Sequence, residues 1–210
     1  MSKKKPHWIA GSEFDVAFNL ARTWHAEKSR KIGTTPYISH LMAVSALVVE
    51  HGGTQEQASA ALLHDILEDT AMTYERLRNL VGREVADIVL ACSDTEDKPS
   101  PDERSTAEKL ADWVDRKTKY IAHVNNAADD DPSLLVALAD KVHNSEQTAR
   151  DIAALPADPS AVANFWSAFN APRDQQHWWY GSLVTAFASK PLPAPLVQRF
   201  ESAVRLIQSA

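Results

Sequence analysis

Residues 63–70 read Leu63-His64-Asp65-Ile66-Leu67-Glu68-Asp69-Thr70. They close an apolar run that begins at Ala58, so the segment has the make-up of a buried helix. Yet His64, Asp65, Glu68 and Asp69 can each bind a metal or move a proton. A carboxylate taken out of water must be paired, protonated or bound to a cation, because leaving it bare costs several kcal/mol. On a helix, residues four apart share a face, which puts His64 with Glu68 and Asp65 with Asp69. The spacing predicts two adjacent stripes facing one cavity, with a metal held at His64 and Asp65 and carboxylates one turn further on.

Two ligands make a poor site, and three or four are usual. His40 lies in the middle of a second apolar helical stretch, and Asp140 closes Leu134-Leu135-Val136-Ala137-Leu138-Ala139-Asp140. Asp140 is therefore another acid set in an apolar face, and Asn144 follows one turn on. Taken singly, each has a plain structural reading: a satisfied core histidine for His40, a helix-end charge for Asp65 or Asp69, an ion pair with Lys141 for Asp140. The joint pattern favours a site. A mixed nitrogen and oxygen set suits Mn²⁺, Fe²⁺ or Zn²⁺ better than Ca²⁺.

The rest of the chain reads as helix. Glycine is scarce, at 6 of 210 residues, and apolar positions recur at helical spacing, which predicts an all-α protein of about ten helices and a single domain. Ser12 starts a first helix that runs to about Glu27. Thr35-Pro36 reads as N-cap and N1 proline of a second, stopped by Gly52-Gly53. Thr54 and Gln57 form a capping box for the third helix, which runs through the opening motif to Thr70. Helices over 73–81 and 83–92 follow, divided by Gly82. Ser93 to Arg104 reads as a loop, then come a long helix to about Ala127 and another from Ser133 to about Ile152. Residues 153–210 are rich in proline and aromatics and predict shorter helices.

Composition narrows the function. A formal charge of −6 argues against non-specific nucleic-acid binding but leaves room for a small anion at local basic clusters: Arg30-Lys31, Arg116-Lys117-Lys119 and Lys141. No apolar window reaches the length of a membrane span, and the basic start lacks the apolar core of a secretory signal. Cys92 is the lone cysteine, which excludes an internal disulfide and a thiolate cluster and fits a cytoplasmic location. Trp166, Trp178 and Trp179 fit core or interface packing, which leaves a homo-oligomer open.

Three segments resemble one family in order and spacing: Arg30-Lys31-Ile32-Gly33-Thr34-Thr35-Pro36-Tyr37-Ile38-Ser39-His40, Ala61 to Thr70, and Leu138-Ala139-Asp140-Lys141-Val142-His143-Asn144. They are similar to the motifs of HD-domain metal-dependent phosphohydrolases, and within these to the hydrolase domain of the RelA/SpoT group. The likeness covers about residues 14–152, with 153–210 as an extension too short for a synthetase domain. It therefore points to the stand-alone small alarmone hydrolases. This resemblance implies removal of the 3′-pyrophosphate from (p)ppGpp to give GDP or GTP and pyrophosphate. It also implies one Mn²⁺ per chain on His40, His64, Asp65 and Asp140. Glu68 and Asp69 would work on the attacking water, while Arg30, Lys31, Tyr37, Lys141 and Asn144 would meet the nucleotide. Adenosine alarmones, (p)ppApp, and the 2′-phosphate of NADPH are alternative substrates within the superfamily. The sequence departs from the pattern at His143, at Ser145, at Ser93-Asp94 and in the aromatic stretch Gln175–Tyr180.

Overall fold

The computed structural model describes Trp8, residues 10–93 and residues 104–209. Among these residues the regular elements are helices, and the single isolated bridge joins Ser29 to Pro36. The chain divides into two compact units: the residues up to Ser93 together with Leu135–Asp140, and residues 104–134 together with 141–209. No described helix is long and apolar enough to cross a membrane.

The first unit holds α1 (Ser12–Trp24), α2 (Ile38–Glu50), α3 (Gln55–Leu63), α4 (Ile66–Asp69), α5 (Tyr74–Val81) and α6 (Arg83–Cys92). α3 is its central element and packs against α1, α2 and α6. That position explains the composition of α3, in which Ala58, Ala60, Ala61, Leu62 and Leu63 are all buried. Its start is the expected capping box: Thr54 Oγ1 accepts from the Gln57 N–H at 3.2 Å, and Gln57 Oε1 accepts from the Thr54 N–H at 2.9 Å. α2 stops at Gly52, whose φ of +86° is open to glycine at little cost. Gly53 must also be small, because a Cβ there would lie 2.4 Å from Val48 Cγ1.

Two expectations change. The second helix starts at Ile38 with Tyr37 as its N-cap, and not at Thr35-Pro36. Pro36 is held in the bridge to Ser29, and Arg30 N–H donates to the Thr35 carbonyl at 2.8 Å, so residues 28–37 form a short looped ladder. The third helix does not run to Thr70: it ends at Leu63, turns at His64 and Asp65, and resumes as the single turn α4. That added turn brings the count to eleven helices among the described residues.

The second unit holds α7 (Thr106–Asn126), α8 (Ser133–Ala153) beyond its first turns, α9 (Pro159–Ser167), α10 (Arg173–Ala188) and α11 (Ala194–Ser209). α7 opens with a second capping box at Ser105 and Glu108. Just before α8, Asp131 Oδ1 accepts from the Ser133 N–H at 2.9 Å. Trp113 and Tyr120 of α7 pack on Trp179 of α10, at ring separations of 6.5 and 5.5 Å. Arg199 of α11 grips Glu146 of α8 through two hydrogen bonds of 2.8 and 3.0 Å. Trp166 and Trp179 are buried as core residues, whereas Trp178 is exposed. The expected loop at Ser93–Arg104 falls largely outside the described residues, as does Asp94.

Candidate metal centre

The break between α3 and α4 builds the centre of the first unit. Asp65 sits at φ −94°, ψ −2°, in the sparsely used bridge region. The carbonyl of His64 is met by the Ser93 hydroxyl at 3.4 Å, and the Asp69 N–H returns to the Asp65 carbonyl at 3.0 Å. Buried His40 comes from the first turn of α2, and buried Asp140 from the second turn of α8.

Four side-chain atoms converge. Asp140 Oδ1 lies 3.2 Å from His40 Nε2 and 3.4 Å from His64 Nε2. Asp65 Oδ2 lies 3.1 Å from His64 Nε2 and 3.8 Å from His40 Nε2. With ligand bonds of about 2.1 Å, neighbouring ligand atoms of one ion stand about 3.0 Å apart in an octahedron and about 3.4 Å apart in a tetrahedron. The separations of 3.1, 3.2 and 3.4 Å fall on that scale, and the His40–Asp65 separation of 3.8 Å is somewhat longer. His64 Nδ1 lies 2.8 Å from the Ala61 carbonyl, an acceptor, so Nδ1 carries the proton and Nε2 turns its lone pair toward the carboxylates. A lone pair facing carboxylate oxygens needs a cation or a proton between them. The residues present therefore fit a divalent ion.

The electrostatics agree. Burial pushes the Asp65 carboxyl up, but the imidazole of His64 beside it prevails and holds it well below the usual carboxylate range. Burial pushes His64 down, and Asp65 and Asp140 override this to hold it well above the ordinary histidine value. His40 goes the other way: burial lowers it, and Asp140 offsets this only in part. The cluster draws in positive charge and places it near His64.

The other expected site residues are distributed as follows. Glu68 is half-buried on α4. Asp69, at the end of that turn, pairs with the ammonium of Lys28. The Tyr37 hydroxyl donates to Asp65 Oδ2, and burial together with Asp65 pushes the phenol far up, so it stays a donor. Arg30 lies over the Tyr37 ring at 5.6 Å, and Lys31 is exposed on the same loop. Lys141 and Asn144 belong to the second unit, where the Lys141 ammonium lies 5.1 Å from the centre of the Tyr120 ring. There too, Arg116 pairs with Asp112 at 3.6 Å, Lys119 with Asp115 at 3.0 Å, and Lys117 lies over Trp179.

Two residues of this neighbourhood carried no sequence signal. Lys28 meets Asp69 across 41 positions of chain. His25 is buried against Tyr37 at 5.4 Å, with neither ring nitrogen in a hydrogen bond. Nothing in the spacing around them marks either contact.

The HD domain model matches residues 17–167, which takes in every residue of the cluster. The chain belongs to the HD domain family. Metal dependence is usual for such hydrolases, and this HD domain has a His/Asp cluster, His40, His64 and Asp65, that could hold a metal ion. The guanosine-3′,5′-bis(diphosphate) 3′-pyrophosphohydrolase MESH1 of Xenopus tropicalis is 32% identical over 137 residues, covering 64% of this chain and 68% of that protein. The bifunctional (p)ppGpp synthase/hydrolase SpoT of Escherichia coli is 32% identical over 129 residues, 61% of this chain but 17% of that one. The HD domain thus spans only a small part of its long curated relatives, 16% and 17% of the first two. A solved structure of a metazoan ortholog of SpoT, described as hydrolysing ppGpp, superposes with a TM-score of 0.68 at 24% identity, over 94% of this chain and 97% of that one. At that identity the likeness speaks for the fold.

Proposed function

We propose that this protein is a manganese-dependent hydrolase that removes the 3′-pyrophosphate from (p)ppGpp, releasing GDP or GTP and pyrophosphate. The observation that carries the reading is the convergence of His40, His64 and Asp65, with Asp140 Oδ1 within 3.4 Å of both imidazoles, next to a turn bearing Glu68 and Asp69. Similarity to MESH1 over most of that relative's length supports the choice of substrate. We place the enzyme in the cytoplasm, where the buried thiol of Cys92 stays reduced.

In this reading those four residues hold one Mn²⁺. The ion would lower the pKa of a water and neutralise charge on the phosphoryl oxygens. Glu68, half-buried one turn beyond Asp65, orients the attacking water and accepts its proton. Asp69 assists from the same turn. Tyr37 keeps the Asp65 carboxylate oriented by donating to Oδ2. Arg30 and Lys31, on the loop that carries Tyr37, meet the nucleotide.

The test is product analysis with the Mn²⁺-loaded protein. Pyrophosphate and GDP from guanosine tetraphosphate are expected in equal amounts, and His64→Ala should abolish both. Orthophosphate from NADPH, or turnover of adenosine alarmones alone, would replace this substrate with another of the superfamily. Tight nucleotide binding with no product would make the domain a sensor.

A further inference from the structure

Lys28 has no part in the chemistry above, yet it touches two members of the site. Its ammonium pairs with Asp69, and the same nitrogen stands 3.9 Å from the centre of the Tyr37 ring. That is well inside the reach of a cation over an aromatic face, about 6 Å. The backbone prepares this double contact. Tyr37 N–H donates to the Lys28 carbonyl at 2.8 Å, so the two residues face each other at the open end of the 28–37 ladder, opposite its turn.

The recipients need such a tie. α4 is a single turn of four residues, and a helix that short does not hold its own shape in water. Asp69 ends that turn, at the surface. Inside the turn, Thr70 Oγ1 closes on the Ile66 carbonyl at 2.6 Å, which fixes backbone and leaves the Asp69 side chain to be set from outside. Tyr37 is set from several sides: the buried ring of His25 at 5.4 Å, the edge of His40 at 5.4 Å, and the Lys28 ammonium. Its hydroxyl reaches Asp65 Oδ2, the oxygen that faces both His64 and His40.

We infer that Lys28 is a positioning residue of the hydrolytic site. Its one ammonium fixes Asp69 directly and steadies Asp65 through Tyr37, so a carboxylate that works on water and a carboxylate that holds metal are placed by the same side chain. The inference rests on the hydrolase reading above. Lys28 itself contacts residues of the protein and acts through them.

Four variants test it: Lys28→Met, which keeps the aliphatic cover of Tyr37 without the charge, Lys28→Arg, which keeps a cation, Tyr37→Phe, and the double variant Lys28→Met/Tyr37→Phe. Each is loaded with Mn²⁺ and assayed for pyrophosphate release from guanosine tetraphosphate, with kcat and KM separated. Mn²⁺ affinity is titrated without substrate, and melting temperature controls for folding. Lys28→Met should lower kcat by about 10- to 100-fold, the range for partners that orient metal ligands, with KM little changed. Lys28→Arg should restore most of it. The double variant Lys28→Met/Tyr37→Phe should lose less than the product of the single losses, because both act on Asp65. Wild-type kcat in Lys28→Met overturns the inference, and so does a rise in KM alone, which would make Lys28 a substrate contact. Should the wild-type protein release no pyrophosphate, the substrate reading fails, and Mn²⁺ affinity decides the clamp separately. About tenfold weaker binding in Lys28→Met upholds the tie to Asp65, and unchanged binding removes it.

Discussion

His64 Nε2 lies 3.1 Å from Asp65 Oδ2, although the two residues are neighbours in the chain. On an unbroken helix of 3.6 residues per turn, successive side chains leave the axis about 100° apart and their ends diverge. The turn between α3 and α4, with Asp65 in the bridge region, lets them converge on one point. The surrounding packing holds this turn in place. Here the packing is that of α3, whose residues Ala58 to Leu63 are buried without interruption.

Asp140 Oδ1 faces both imidazoles, at 3.2 and 3.4 Å. Asp140→Asn keeps the volume of the side chain and removes its charge. The purified variant should carry no more than trace manganese after equilibration, where the proposed function expects one ion in the parent, and should be inactive. Elemental analysis checks this, with circular dichroism to confirm retained helix. Full metal content in the variant would remove Asp140 from the ligand set.

The raised histidine gives a pH dependence. His64 is held well above its ordinary value of 6.5 by Asp65 and Asp140, so without metal it keeps its proton at neutral pH. A metal ligand must give up that proton. Manganese binding should therefore release about one proton, and affinity should rise about tenfold per pH unit until the pH passes the raised value of His64, then level off. Calorimetry in buffers of different ionisation enthalpy measures the proton count. The sign for stability follows from the same shift: stabilisation of the metal-free fold by protonated His64 is present in full below pH 6.5 and is lost as pH rises through the raised value. The depressed Asp65 works in the opposite direction. Its contribution is present above the ordinary carboxylate value of 3.8 and is lost on acidification through its lowered one.

The helical class, the capping box at Thr54 and the polar residues that the fold gathers into the candidate cluster were legible because they depend on local signals: period, cap chemistry, and polar residues set in apolar stretches. The interruption at His64-Asp65 was not, since nothing in Ala58 to Thr70 breaks the helical pattern and no glycine or proline marks the turn. The second helix starts later than Thr35-Pro36 implies because the looped ladder claims Pro36, a tertiary outcome of the pairing between Ser29 and Pro36. Lys28 and His25 were illegible for a related reason. An ion pair closed over 41 residues, or a histidine buried beside a tyrosine of another element, leaves no periodic trace.

The capping box is a test of stability apart from function. Thr54→Ala removes the acceptor for the Gln57 N–H and frees the start of α3, at the centre of its unit. A loss of about 1 kcal/mol is expected from chemical denaturation, with metal affinity unchanged because the cluster lies at the other end of the helix. A drop in metal affinity instead would mean that α3 transmits fraying at its start to His64.

His25 offers the sharpest contrast between packing and chemistry. It is 3% exposed, and neither nitrogen has a hydrogen-bond partner. Burial, with Lys28 nearby, pushes it below its ordinary value, so it stays neutral, with one donor and one acceptor in the ring. Each unsatisfied group costs about 1–3 kcal/mol, and a larger ring in a filled slot costs about as much, so His25→Phe should leave stability nearly level. The ring face against Tyr37 survives that change, and with it the support of Asp65. His25→Ala opens a cavity and removes the face, so it should lower both stability and manganese affinity. Chemical denaturation and metal titration of the two variants separate the cases. Equal affinity losses in Phe and Ala would place the need in the ring nitrogens, holding an ordered water, while a loss confined to Ala places it in the aromatic surface that steadies Tyr37.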